Sequence, residues 1–337
     1  MVQSVPTADA DPVNRLTAIL ADDLAAVDRV IRSRMESEHA RRVGEVATHV
    51  IDAGGKRLRP LFTLAAARLC GYAGDAHIGL AATVELIHTA TLLHDDVVDE
   101  SLRRRGRPTA NRLWDNKSSV LVGDYLFSRS FQLMVESESL RILGILADAA
   151  ATIAEGEVLQ LTASRSLATD EPTYLKVIRG KTAALFSAAT EVGAVVAGAP
   201  EPVIAGLRDF GDAFGMSFQI TDDILDYTGS AEILKKDPGD DFRASKLTLP
   251  VIKAAAHAGV EERAFWTRVI ELGDQREDDL EVAMRLFDRH GALESSRQDA
   301  RRWSDVAHSS LGAVPESPVG LRALLADLAK DTVSRLT

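Results

Sequence analysis

Two aspartate clusters repeat one spacing, Asp95-Asp96-Val97-Val98-Asp99 and Asp222-Asp223-Ile224-Leu225-Asp226. On a helix, the first and last aspartates of each cluster project from one face a turn apart. Like charges at that spacing destabilise a helix, and apolar residues such as Leu92 and Leu93 precede the first cluster. Carboxylates so placed are costly unless a cation joins them. Magnesium suits the donors, because it takes oxygen from one or two carboxylates and completes its shell with water and phosphate oxygens. The alternative is a solvated helix surface. With thirty Asp in 337 residues, one such match arises by chance about 0.2 times per chain, and two in the same context are rarer still. Asp22-Asp23, Asp240-Asp241 and Asp278-Asp279 lack the third aspartate and serve as internal controls.

Polyanion chemistry also needs cations, and the sequence supplies them locally against a net charge of -11. Gly54-Gly55-Lys56-Arg57-Leu58-Arg59-Pro60 places three of them after a glycine pair that can turn them onto one anion. Arg103-Arg104-Arg105-Gly106-Arg107 begins four residues after Asp99. An acidic cluster beside a basic one fits metal-bound phosphate better than either alone. His88 lies seven residues before Asp95, two helical turns back on nearly the same face. Lys181-Thr182 is unremarkable alone, whereas Gln219 is a helical neighbour of Asp222.

The elements that must position these groups are helices. Eleven prolines leave long proline-free stretches rich in Leu, Ala, Glu and Arg, aromatics are 5%, and no run alternates as a half-buried strand would. Leu80–Glu100, Ser118–Glu136 and Leu207–Tyr227 carry apolar residues on more than one face, as helices surrounded by helices do. The fold class is therefore all-α. No fixed-period repeat or Gly/Ser linker divides the chain, so residues 1–337 are expected to form one domain. Ser101–Pro108 reads as a basic turn, residues 1–12 as a flexible N-terminus and residues 229–250 as a mobile lid. The N-terminus lacks a signal-peptide pattern, and the apolar stretch Ala183–Ala199 is broken by Glu191, so no integral membrane segment is expected. One cysteine, Cys70, excludes a disulfide framework and fits a cytoplasmic protein; the acidic balance argues against nucleic acid.

In this order and density the motifs resemble the trans-polyprenyl diphosphate synthase family. The match covers Gly54 to Pro60, His88 to Asn111, Val120 to Phe127, Glu155 to Gln160, Lys181-Thr182, Phe218 to Asp226 and Lys236 to Pro250. The resemblance implies a type I isoprenoid synthase fold, a helical bundle around a central cavity, a homodimer, and magnesium-dependent condensation of isopentenyl diphosphate with an allylic diphosphate. By it, Asp95, Asp96, Asp99, Asp222, Asp223 and Asp226 hold magnesium, and the first five of these with Lys181 form the catalytic set. It also implies allylic contacts at Arg104, Lys181, Thr182, Gln219 and Lys236, an isopentenyl diphosphate site at Lys56, Arg59, His88 and Arg105, and Lys246 in the lid. Lys235 stands where family members often have Gly, which leaves open which of Lys235 and Lys236 reaches phosphate.

Product length is read from the helix that ends in Asp95. If the growing chain runs back along it, each turn of about 5.4 Å takes roughly one isoprene unit. The first facing residues, Thr91 and Ala90, are small, where short-chain members often carry an aromatic plug; Ile87 and Val84 come next. Phe127, Phe131 and Met134 are alternative floors. This predicts a long product, octaprenyl to decaprenyl, of the kind used for quinone side chains, with a farnesyl or geranylgeranyl product as the alternative. A cyclase would need no isopentenyl diphosphate site, and a noncatalytic regulatory subunit would have lost aspartates or arginines; all are present here.

Overall fold

The computed structural model describes residues 11–229, 239–317 and 319–336. Lys235, Lys236, residues 1–10 of the expected N-terminal arm and residues 230–238 of the expected lid lie outside them. Helices dominate the described chain, as composition predicts. In order they are α1 (Pro12–Ile19), α2 (Ala21–Met35), α3 (Arg41–Ile51), α4 (Leu58–Leu69), α5 (Ala76–Val98), α6 (Ala110–Leu113), α7 (Asn116–Glu136), α8 (Leu140–Ala163), α9 (Glu171–Ile178), α10 (Ala184–Val196) and α11 (Glu201–Thr228). Helices Asp240–Arg243, Leu249–Ala256, Val260–Trp266, Asp279–Arg289, Ala292–Ser310 and Leu321–Ser334 follow. Their starts are legible locally: the Asp115 side chain accepts the Ser118 N–H at 2.7 Å, and Asp170 accepts that of Thr173 at 2.9 Å.

Two features depart from the sequence reading. The basic turn is a hairpin, with Arg103 paired to Pro108 and Arg104 to Arg107. Its two-residue loop, Arg105 and Gly106, has φ of 52° and 77°, the doubly left-handed geometry that matches strand twist. The segment expected to be irregular up to Pro250 contains helix Asp240–Arg243, and Pro250 itself lies in the first turn of helix Leu249–Ala256, where its missing N–H costs nothing.

The chain forms two compact units. The first comprises residues up to Ala150 with Leu185–Gly211 and Ser310–Leu328. Helix α5 is buried on nearly every side there, which explains its almost unbroken apolar sequence. It is long and apolar enough to cross a membrane, yet 67% of its most apolar window is buried in the protein. Phe62 packs on Phe186 and on Phe210 with ring centroids 5.6 Å apart in each case, and each such buried ring contributes about 1.5–3 kcal/mol. A Cβ on Gly193 would lie 2.5 Å from the Thr63 carbonyl oxygen, so α10 meets α4 in backbone contact.

The second unit comprises Ala151–Ala184 and Asp212–Ser309, with the chain from Ala329 onward. Trp266 stacks on Phe287 at 5.7 Å, and Tyr227 meets the same ring edge-on at 5.0 Å. A separate apolar cluster of Ile178, Ala183, Met216, Ile220 and Ile224 underlies the second aspartate cluster. Between α9 and α10 the chain takes a π-helical turn, Arg179–Ala183, a distortion that recurs at functional sites.

Candidate active site

In the first unit the sequence-selected cations gather around a carboxylate that the sequence reading did not select. Glu85, buried on α5, accepts a charge-assisted hydrogen bond from Arg57. Arg57 starts α4 with φ of 50°, a left-handed conformation that costs a non-glycine residue about 1–2 kcal/mol and that this bond helps to hold. Arg59 meets His88 Nε2 at 3.2 Å and lies 4.3 Å over the Phe186 ring. Burial pushes the Arg59 guanidinium down to about 10, against the pull of Glu85, so it stays charged near neutrality. Its buried Nε has no hydrogen-bond partner. His88 is held well below its usual value by burial and by the field of Arg59, Arg105, Arg104 and Arg57, and is neutral at pH 7.

Gly55, with φ of 151°, completes this cradle: a Cβ there would stand 2.7 Å from a terminal nitrogen of Arg105. Arg59, His88 and Arg105 are thus brought together as expected, with Arg57 and Glu85 added, while Lys56 is exposed at the margin. A signal for Glu85 existed in the sequence, since it stands three residues before His88 on the same face.

The first aspartate cluster closes the same helix. Asp96 is buried and accepts from Arg104 Nε at 2.9 Å. Burial raises its carboxyl above the ordinary range, and Arg104 opposes that rise. Asp95 is half-buried and Asp99 exposed. Just before them, His94 reaches the Val120 carbonyl at 3.1 Å, across a space on α7 that any side chain at position 123 would fill in place of Gly123. Ala90 and Ile87 are buried in α5, Thr91 is half-buried, and Met134 is buried whereas Phe131 is 40% exposed.

In the second unit, the π-helical turn presents Lys181 and Thr182. Gly156 on α8 and Gly180 in the turn make this possible: a Cβ on Gly156 would lie 2.8 Å from the Lys181 nitrogen, and one on Gly180 would lie 2.9 Å from the Gly156 Cα. Lys181 Nζ contacts Glu157 at 3.0 Å. Thr182 donates to Gln219 Oε1 at 2.8 Å, and Gln219 Nε2 donates to Asp223 Oδ1 at 2.8 Å. Asp223 also accepts from the Tyr174 hydroxyl at 2.7 Å. Burial first, then Asp241, pushes the Asp223 carboxyl up to about 7, against those two hydrogen bonds. Asp226 is fully buried and accepts the Asp241 N–H at 2.9 Å, whereas Asp222 is exposed. Lys246, expected in the lid, bonds Asp241 at 3.0 Å.

Two of the three internal controls behave differently, whereas Asp241 of the third lies against the second cluster. Asp23 receives two hydrogen bonds of 2.8 Å from Arg68, and Asp279 is bound by Arg268; each is held below the usual carboxylate range by that arginine. Asp96 and Asp223 are raised instead, so their charge is undercompensated. Every donor in the two clusters is a hard oxygen, as magnesium requires. Among the described residues no three His, Cys, Asp or Glu side chains form a ready-made metal cage.

Comparison with known proteins shows the family. The family model described as polyprenyl synthetase matches residues 40–287. An octaprenyl diphosphate synthase of Escherichia coli (strain K12) is 41% identical over 325 residues, which cover 96% of this chain and 98% of that protein. Among solved structures, a decaprenyl diphosphate synthase from Rhodobacter capsulatus is 62% identical with a TM-score of 0.93, covering 97% of this chain and 100% of that one. A polyprenyl synthase from Caulobacter crescentus CB15, complexed with calcium and isoprenyl diphosphate, is 47% identical with a TM-score of 0.91, covering 98% and 100%. With a family match over most of its length and relatives this similar from end to end, the chain belongs to the polyprenyl synthetase family.

Proposed function

We propose that the protein condenses isopentenyl diphosphate with an allylic diphosphate, with magnesium, to make a long all-trans polyprenyl diphosphate of octaprenyl to decaprenyl length for quinone side chains. The observation that carries this reading is the cradle of Arg57, Arg59, Arg105 and His88, an anion site set back along α5 from the first aspartate cluster. An enzyme handling a single diphosphate has no use for it. Relatives that make octaprenyl and decaprenyl diphosphates support the length. The synthase domain runs through both compact units, as the family match does.

Within each aspartate cluster the burial pattern divides the work. Asp95, Asp99 and Asp222 reach outward and would hold magnesium directly. Asp96, Asp223 and Asp226 are tied to Arg104, to Tyr174 with Gln219, and to the Asp241 N–H, and act as supports. Magnesium, when bound, supplies positive charge to the departing diphosphate. Lys181 adds charge on the allylic side, Thr182 and Gln219 supply oxygen dipoles to the allylic cation, and Arg59, Arg105 and His88 hold isopentenyl diphosphate. The carbon–oxygen bond of the allylic diphosphate breaks, the isopentenyl double bond attacks the cation, and a proton passes to the released diphosphate. Leu121 and Val135 on α7 and Leu140 on α8 are 66%, 65% and 86% exposed, and a homodimer of the kind expected would cover apolar side chains of this sort. A single half-buried cysteine, its thiol pushed up to about 11 by burial, suits the reducing cytoplasm.

The test is product sizing with magnesium, labelled isopentenyl diphosphate and farnesyl diphosphate. Products of about forty to fifty carbons are expected, each helical turn of α5 taking roughly one unit. Ala90→Tyr is expected to cut them to about fifteen to twenty carbons by plugging the first turn behind Asp95. Unchanged long product from a folded, active variant would remove this face of α5 from the ruler.

A further inference from the structure

Tyr174 has no part in the assignments above beyond bracing Asp223, yet it heads a directional relay inside the second unit. It lies on α9, 5% exposed, and its hydroxyl has one hydrogen, given to Asp223 Oδ2 at 2.7 Å. In its ionised form Asp223 only accepts, so the Gln219 amide then turns its NH2 toward Asp223 Oδ1 and its oxygen away. The Thr182 hydroxyl faces that amide oxygen and must spend its single hydrogen there. What remains on Thr182 for its other neighbours is lone pairs.

We propose that Tyr174 is a positioning residue that fixes the polarity of this relay, so that Thr182 and Gln219 offer oxygen lone pairs rather than hydrogens to an allylic cation. The inference rests on the prenyl-transfer reading given above. Without the phenol, Asp223 loses the donor that anchors one oxygen and can turn away from Gln219, which leaves that amide without its acceptor and free to flip. A flipped amide gives its NH2 to Thr182, whose hydroxyl then turns its hydrogen outward. The energy of the cation rises, while the cradle of Arg57, Arg59, Arg105 and His88 assigned to isopentenyl diphosphate does not include Tyr174.

Tyr174→Phe keeps the ring in its apolar cluster and tests this in the full chain with magnesium, isopentenyl diphosphate and farnesyl diphosphate. With helix content and thermal midpoint near the parent's, kcat is expected to fall roughly tenfold to a hundredfold, the span of one hydrogen bond to a charged group, and the KM for isopentenyl diphosphate to stay within about twofold. Thr182→Val removes the end of the relay. If Tyr174 acts through Thr182, adding Tyr174→Phe to that background costs less than about threefold, because the two changes break one path. An unchanged kcat, a change confined to KM, or losses that multiply in the double variant would overturn the proposal. A parent protein that elongates no allylic starter would instead sink the prenyl-transfer reading, and is recognised by the absence of any turnover to compare.

Discussion

The two aspartate clusters share a spacing but not a means of balancing charge. Asp96 is braced by the guanidinium of Arg104, and Asp223 by two neutral donors, Tyr174 and Gln219. A full positive charge opposes burial in the first, where the carboxyl is still raised; two dipoles oppose it in the second, where the carboxyl is pushed up to about 7. The same pattern of residues can be compensated by a charge or by dipoles, according to what the fold places beside its middle aspartate.

The largest expected effect breaks both clusters. Asp95→Ala and Asp222→Ala should each lower turnover by roughly a thousandfold or more, the scale of losing several kcal/mol of charge stabilisation, with helix content retained. Turnover near the parent's value in either would remove that cluster from the metal site.

A smaller effect separates the clusters by pH. A raised carboxyl pKa means that the group keeps its proton on the acid side of about 7, and a protonated carboxyl draws no cation. The magnesium concentration giving half-maximal rate should thus rise as pH falls from about 8 to 6, by up to roughly tenfold per unit for one proton. A flat titration over that range would put the metal requirement outside the reach of Asp223.

The smallest effect sharpens the contrast. Arg104→Gln removes the cation from Asp96, which should make the first cluster resemble the second, with the magnesium requirement steepening further toward acid by a few-fold. If the pH dependence of the variant matches the parent's, Arg104 does not set the charge of this cluster.

Much of this was legible in the sequence because it is local. The aspartate spacing, the proline-free helices and the shared face of His88 and Asp95 are each matters of neighbours along one stretch of chain. Tyr174 was not legible, since it meets Asp223 across 49 residues of chain and nothing in its neighbours announces a buried phenol. Arg57 and Glu85, 28 residues apart, were both in view, but only the fold shows that one folds back onto the other. The inward or outward facing of each aspartate was also hidden. Helical spacing gives relative angles, and packing decides which angle points at the core.

The close approach of Gly156 and Gly180 has a consequence for redesign. Because main chain touches main chain there, the height of Lys181 and Thr182 is set by backbone and not by the rotamer of any neighbour. Libraries that vary the side chains around Lys181 and Thr182 can therefore reshape their surroundings while leaving these two residues in register. Positions 156 and 180 should be held as glycine in any such library: even one added methyl group would act as a shim, tilting the π-helical turn out of line everywhere at once.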